Sequence, residues 1–480
     1  MKSEKMYIGG QWVNSENGET TTVFNPYNGE KLGTVPSATE ADVKRAVQAA
    51  AESFDSWAEL PATERAAFLK KWCDLLVKHQ DDIAETLTSE QGKPLSEAKG
   101  EVAGAAKSLE WNAEEAVRIY GEVIPASTEN KRIIVIKQPI GVVGAITPWN
   151  FPASMITRKI GPALAAGCTI ILKPAGQTPM TAVKIVELAH EAGIPKGVIN
   201  LVTGESKIIS QVFMSDERVR KITFTGSTEV GKLLMEQAAE TLKSISLELG
   251  GHAPLLVFED ADMKKVMKGV KSAKLRNAGQ MCVAGNRFFV HESRYKEFSE
   301  ELKKLVKKEK MGNGMDPDVT IGPLIDKDAY EKVGEHVEDA VAKGAKAVMG
   351  GKGQHDGDDD AGYFYEPTIL LDVTDKMIIM HEETFGPVLP VQPFTSDEEA
   401  VQRANESNYG LTAYLFTESL NRAIRVSEKL EYGVIGLNDG GPATSQAPFG
   451  GWKESGIGRE GGHHGLDHFL EIKYISIGLD

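Results

Sequence analysis

Cys282 stands in the stretch RNAGQMCVAGNR, Arg276 to Arg287, among two glycines, two asparagines and a glutamine, just ahead of the apolar run FFVH. A thiol in so polar and glycine-flanked a setting is a candidate nucleophile, because the thiolate is the reactive form and has to reach its target. The other two cysteines read as packing groups: Cys73 lies in the helical pattern FLKKWCDLLV and Cys168 in the small-residue run PALAAGCTIIL. An odd number with no CxxC spacing argues against a disulfide framework and against a zinc site, so no metal is expected. Glu248 is the lone carboxylate among the apolar residues of SLELGG, where a strand should give way to a loop. Burial there raises a carboxylate's pKa toward that of a general base, although a capping or salt-bridged glutamate would read the same way.

Two stretches offer ligand-binding turns. In ILKPAGQTP, Lys173 falls at the carboxyl end of a strand, where open α/β sheets bind ligands, although a solvated loop lysine has the same text. In KITFTGSTEVGKLL a β run ends at Gly226 and a helix begins at Ser227 or Thr228, which presents unpaired N–H groups and a positive helix end to an anion. An ordinary capped turn fits that text equally well. The literal GxGxxG, Gly456 to Gly461, is a decoy: a dinucleotide fingerprint needs a strand before it, a helix after it and an acidic residue about 20 positions on.

The elements that must position these residues follow from size and periodicity. A chain of 480 residues and 52.0 kDa is too long for one hydrophobic core, so two or more lobes are expected. A net charge of −15 and a pI near 5.3 repel phosphate backbones and anionic lipid, which argues against nucleic acid and membrane as partners. The basic run KKLVKKEK, Lys303 to Lys310, reads as the solvated face of a helix. The opening MKSEKMYIGGQWV has no apolar core of signal-peptide length and no run suits a membrane span, so a cytoplasmic protein is expected.

Helices are expected in TEADVKRAVQAAAESF, opened by a Thr39/Asp42 capping box, over Thr63 to Thr88, and over Pro94 to Tyr120. RIIVIKQP, GVVGAITP, CTIILKP, VINLVTG and KITFTGS are short β runs, the later ones separated by helical text such as MTAVKIVELAHEAG, which implies a doubly wound parallel sheet. After SISLELGG a second such series begins with APLLVF, a helix from Ala261 to Arg276, NRFFVH and a helix from Arg294 to Lys310, and it continues through VIGLN. The boundary between lobes falls near Gly250 and Gly251. The late strand LEIKYISIGL has no hairpin neighbour, so it pairs with RIIVIK or extends a partner's sheet, and an oligomer is expected. The acidic, glycine-rich GGKGQHDGDDDAG reads as a surface loop.

Six segments, ITPWNFP (146–152), LKPAGQTP (172–179), LELGG (247–251), NAGQMCVAGNR (277–287), EETFGPV (382–388) and PFGGWKESGIGRE (448–460), resemble in type and order the aldehyde dehydrogenase superfamily. The resemblance covers nearly the whole chain. Within the superfamily, MITRKIGPALAAGCTIILKPA, FTGSTEVGKLLMEQ, TIGPLID and LEIKYISIGL are most similar to succinate-semialdehyde dehydrogenases.

The resemblance implies an α/β fold of two doubly wound parallel-sheet lobes with a small oligomerisation β-sheet: a dinucleotide-binding domain over 1–120 and 140–249, a catalytic domain over 250–450, and an oligomerisation arm over 121–139 and 451–480. It implies a homo-dimer or homo-tetramer that oxidises succinate semialdehyde to succinate with NADP or NAD. The thiolate of Cys282 would add to the aldehyde, the amide of Asn150 and the backbone N–H of Cys282 would hold the oxyanion, and Glu248 would direct water onto the thioester. Lys173 is implied both in catalysis and at the adenosine ribose. The other implied cofactor residues are Ile146, Thr147, Pro148, Trp149, Ala175, Gly176, Gly226, Ser227, Leu249, Glu383 and Phe385. Arg158 and Arg276 are implied at the distal carboxylate of the substrate, with Thr444 or Ala443 loosely matching the family's substrate-binding serine. Alternatives are another small aldehyde, such as glutarate semialdehyde or lactaldehyde, or a thiol esterase.

Two departures matter. Gly176 stands where many NAD-preferring relatives carry a glutamate, so NADP is expected to be accepted. Ala284 stands where some relatives have a second cysteine, so no disulfide switch is expected at Cys282.

Overall fold

Five mostly buried β runs lie parallel in the spatial order Ser244–Glu248, Val219–Thr225, Val142–Ile146, Thr169–Lys173 and Ile199–Leu201. Strands covered on both faces need β-branched and aliphatic text without alternation, and Thr169–Lys173 (TIILK) is buried at every position. The parallel part of this sheet starts at Val142–Ile146, winds one way to Ile199–Leu201, then returns to add Val219–Thr225 and Ser244–Glu248 on the other side. The direction therefore reverses between Val142–Ile146 and Val219–Thr225, and the loops TPWN and GST leave the carboxyl ends of those two strands, where such sheets open a crevice. Antiparallel strands Met6–Ile8 and Gln11–Val13 complete one edge.

A second sheet runs Lys346–Met349, Thr368–Leu371, Val388–Phe394, Gly285–His291, Ala253–Val257, Thr412–Phe416 and Val434–Leu437, parallel except at its first strand. Gly251 and Cys282 both lie just before the amino ends of strands of this sheet, while Glu248 ends a strand of the first. The candidate chemistry thus sits where the carboxyl edge of one sheet meets the amino edge of the other. The computed structural model describes residues 2–355 and 362–480, and the acidic part of the expected surface loop, 356–361, lies outside them. Among the described residues no helix is long and apolar enough to cross a membrane.

Several elements differ from the sequence reading. The expected helix Thr63 to Thr88 is two helices, Ala62–Lys78 and Gln80–Gln91, because His79 leaves the helical basin at φ −102° and ψ 19°. The expected helix Ala261 to Arg276 is α-helical only over Met263–Val270; it widens to a π turn over Lys271–Leu275, and Asn277 and Ala278 then take φ of 50° and 53°. Left-handed backbone at two successive non-glycine residues is costly and persists only when the surroundings hold it, which the contacts of Asn277 below account for. The Thr39/Asp42 box forms as expected, with Asp42 N–H donating to Thr39 Oγ1 at 3.2 Å and Thr39 N–H to Asp42 Oδ2 at 2.9 Å.

Leu470–Gly478 pairs antiparallel along the whole of Lys131–Pro139, with Glu122–Ile124 as a third strand. The arm is shorter than the expected 451–480. Gly456–Ile457 instead pairs with Leu247–Glu248 at the edge of the first sheet, an approach open to glycine because a Cβ at 456 would meet Leu247 O at 2.1 Å. The GxGxxG text thus begins as an edge strand beside the candidate base.

Candidate active site

The turn carrying Cys282 runs against the turn carrying Gly251, and a Cβ at 251 would lie 2.2 Å from the Cys282 carbonyl oxygen. Cys282 is half-buried and unbridged. Burial first, then the negative charges of Glu383 and Glu248, push its thiol up to about 12, with Arg158 opposing. At rest it is a thiol, and it becomes a nucleophile only when its proton is taken. Asn150 is buried beside it; its Nδ2 donates to Gln280 O at 3.1 Å, which leaves the second N–H of the amide for a ligand oxygen.

Asn150 and Cys282 line one cavity of about 590 Å³ together with Pro148, Trp149, Gly226, Ser227, Leu249, Glu383 and Phe385. Ser227 caps the helix Thr228–Ala239, accepting from Val230 N–H at 3.3 Å, so the positive helix end opens on this cavity. Glu383 is held by Gly251 N–H, which donates to its Oε1 at 3.0 Å, and burial pushes its carboxyl up to about 7. Phe385, at a left-handed φ of 54°, meets Trp149 edge-on with ring centroids 5.5 Å apart. Lys332 also lines the cavity and was not singled out by sequence reading. A phosphate-seeking helix end, a carboxylate able to accept from ribose hydroxyls and an aromatic wall beside a thiol fit a nicotinamide dinucleotide.

The remaining expected cofactor residues do not line this cavity. Ile146 and Lys173 are register partners on adjacent strands, and Thr147 N–H donates to Lys173 O at 3.1 Å. The amine of Lys173 donates to Ser206 Oγ at 2.6 Å, and burial lowers its pKa to about 8. It is not among the residues lining the cavity of Cys282, so the structure does not bring Lys173 to the catalytic group. Ala175 is buried, and Gly176 lines a separate cavity of about 730 Å³, with nothing within 4 Å of where its Cβ would be.

Arg158, Ala443 and Thr444 line a third cavity, of about 640 Å³, with Lys107, Trp111 and Ser445 among its walls. The Arg158 guanidinium lies 4.8 Å from the Phe449 ring centre and helps hold down the pKa of both Cys282 and Glu248. Arg276 does not join this group: it is exposed, at the turn into the left-handed Asn277, and lines neither the Arg158 nor the Cys282 cavity.

Glu248 is buried, its Oε2 has no hydrogen-bond partner among the described residues, and a Cβ at Gly450 would sit 2.8 Å from its Oε1. Its pKa is well above the ordinary carboxylate value, first through burial and then through the charge of Glu460, with Lys159, Arg459 and Arg158 opposing. Lys159 Nζ in turn meets Glu460 Oε1 at 2.6 Å in a buried ion pair and Thr223 Oγ1 at 3.3 Å. Sequence reading missed Lys159 and Glu460. They are 301 residues apart, and the local hint is a second cation next to Arg158 in the mostly apolar helix Ser154–Ala166.

With Glu248 as the expected general base, this arrangement predicts a pH dependence. A base with a raised pKa is protonated at low pH and gains activity as pH rises through that pKa. Glu460→Gln removes one negative neighbour of Glu248 and leaves the Lys159 cation beside it, so the acid limb of kcat is expected to move to lower pH. A pH–rate profile checks this, and an unmoved or upward-shifted limb contradicts it.

Comparison with known proteins agrees with the geometry. The family model described as the aldehyde dehydrogenase family matches residues 12–475. The succinate-semialdehyde dehydrogenase [NADP(+)] GabD of Escherichia coli K12 is 51% identical over 99% of this chain and 98% of its own length. The glutarate-semialdehyde dehydrogenase of Pseudomonas putida KT2440 is also 51% identical, over 99% and 98%. Among solved structures, an aldehyde dehydrogenase from Brucella melitensis biovar abortus 2308 superposes with a TM-score of 0.97 at 51% identity, covering 99% of this chain and 98% of that one.

Proposed function

The chain belongs to the aldehyde dehydrogenase family, and from that premise we propose that it oxidises a small aldehyde bearing a distal carboxylate, succinate semialdehyde, to the free acid with NADP or NAD. The observation that carries this reading is the single cavity shared by Cys282, Asn150, Glu383 and the capped end of the helix Thr228–Ala239, with an unpartnered buried Glu248 oxygen close by. Cys282 passes its proton to water in the cavity and its sulfur bonds to the aldehyde carbon; the second N–H of Asn150 and the Cys282 backbone N–H hold the resulting oxyanion. When bound, the dinucleotide supplies the acceptor for the hydride that leaves this carbon. Ser227 and the helix end would hold its pyrophosphate, Glu383 and Phe385 its nicotinamide end, and Lys173 its adenosine ribose. Collapse of the oxyanion leaves a thioester on Cys282, and Glu248 takes a proton from the water that opens it. The retained helix end and Glu383 argue against an esterase as the main role.

Steady-state formation of the reduced nicotinamide with succinate semialdehyde, glutarate semialdehyde, lactaldehyde and butanal tests this. Equal efficiency with butanal and the semialdehydes would refute the carboxylate requirement. The glutarate enzyme from Pseudomonas putida, as similar as the succinate one, makes glutarate semialdehyde the second reading.

Arg158 supplies the cation. A guanidinium at the wall of a partly desolvated cavity discriminates a carboxylate by about 2 to 3 kcal/mol, the scale of a hydrogen bond to a charged group. Arg158→Ala is therefore expected to cut the efficiency ratio of succinate semialdehyde over butanal by about 30- to 100-fold, chiefly through KM.

For the cofactor, position 176 itself contributes no carboxylate against a 2′-phosphate, and nothing lies within 4 Å of where its Cβ would be. Gly176→Glu introduces that repulsion and is expected to lower kcat/KM with NADP relative to NAD by about 10- to 100-fold. An unchanged ratio would show that the 2′-position lies elsewhere. The arm exposes Val123, Ile472 and Tyr474 at 79%, 73% and 59%, and this apolar strand surface supports the reading that it meets a second copy of the chain in a homo-oligomer.

A further inference from the structure

We propose that Lys93 and Glu101, a buried ion pair, are positioning residues for the oxyanion-holding amide of Asn150. The inference rests on the role given to Asn150 above. Lys93 Nζ donates to Glu101 Oε2 at 2.6 Å and to the Asn150 carbonyl at 2.7 Å, and lies 4.1 Å from the ring centre of Phe151. The other oxygen of Glu101 accepts from the backbone N–H of Ala153 at 2.8 Å and of Ser154 at 3.2 Å. Those N–H groups open the helix Ser154–Ala166, whose N-cap Ala153 has no side chain to satisfy them. One ion pair therefore fixes the backbone of residues 150 to 154 at both ends.

The side chain of Asn150 is fixed from the opposite side. Asn277 Nδ2 donates to the same Asn150 carbonyl at 3.0 Å and to Gln280 O at 3.2 Å, the oxygen that also takes Asn150 Nδ2. Asn277 is oriented by Gln91, whose Nε2 donates to its Oδ1 at 3.0 Å, and by Glu97, whose Oε2 accepts its N–H at 2.8 Å. These contacts hold the left-handed Asn277 and tie the Asn150 loop to the turn that carries Cys282.

Both side chains of the ion pair are 1% exposed. Burying two charges is an inefficient source of stability, since apolar groups of the same volume often do as well or better. What apolar groups could not do is donate to a carbonyl and cap a helix at once. The distance from the Asn150 amide to the reacting carbon is thereby set by groups that touch neither substrate nor cofactor. A displacement near 1 Å costs on the order of 100-fold in rate.

The test is single-turnover acylation, with enzyme in excess over succinate semialdehyde and saturating NADP, because its first-order constant does not depend on how much of the protein is folded. Lys93→Met alone would strand the Glu101 charge, so the variant is Lys93→Met with Glu101→Gln, compared with Asn150→Ala and with Asn277→Ala. The double variant is expected to acylate about 10- to 100-fold more slowly, with the NADP dissociation constant unchanged. Asn277→Ala, which removes the neutral donor to the same carbonyl, is expected to lose about 3- to 10-fold. If the double variant does not fold, Asn277→Ala decides alone. Wild-type acylation constants in the folded variants, with Asn150→Ala defective, overturn the positioning inference. A wild-type constant in Asn150→Ala overturns the role of Asn150 itself.

Discussion

Cys282→Ser is expected to lower aldehyde oxidation by about 10⁴-fold or more while leaving NADP binding intact. A serine hydroxyl is a far weaker acid than a thiol, and the setting of residue 282 makes ionisation harder still: burial and two nearby carboxylates already push the thiol up to about 12. A base able to draw the proton from sulfur falls short of drawing it from an alcohol. The cofactor contacts proposed above come from Ser227, Glu383 and Phe385, on other segments that line the same cavity, so the defect should appear in kcat and not in the dinucleotide titration. Steady-state rates with a fluorescence titration of NADP check both halves. Oxidation at the wild-type rate by the serine variant would mean that no covalent step passes through residue 282.

How legible this site was in the sequence depended on whether each residue's setting was local. Cys282 stood out because thiols are scarce in this chain and its neighbours are polar and small. Glu248 stood out as the one charge in an apolar strand. The parallel winding was also readable, since strand and helix periodicities alternate over short distances. Asn150 carried no such mark, and its role came only through family resemblance. Lys159, Glu460, Lys93 and Glu101 were invisible because their settings are made by tertiary contact: Lys159 meets Glu460 across 301 residues of chain, and Lys93 reaches the Asn150 carbonyl across 57. The length of the arm was misjudged for the same reason, as nothing near Gly456 shows that its lack of a side chain serves the approach to Leu247.

Glu248→Gln separates the two halves of the reaction. Acylation needs the sulfur, the oxyanion donors and the hydride acceptor; deacylation needs a base for water. The glutamine variant is therefore expected to release about one equivalent of reduced nicotinamide per site and then stall, with steady-state kcat lower by about 10²- to 10⁴-fold, the range of general-base contributions. Mass spectrometry of the stalled protein should find the acyl group on Cys282. The buried, unpartnered Oε2 of Glu248 is the reason to place the base here, since an unsatisfied carboxylate oxygen in a closed site has room for one more hydrogen bond, and a water would supply it. In the wild-type enzyme the same step should quicken as pH rises through the elevated pKa of Glu248, whereas in the glutamine variant the residual rate should lose that acid limb. A glutamine variant that turns over at the wild-type rate, or that stalls before any nicotinamide is reduced, would move the base for water to another group. The Glu460→Gln profile then discriminates further, because its shift exists only if the titrating group is the carboxylate that Glu460 and Lys159 flank.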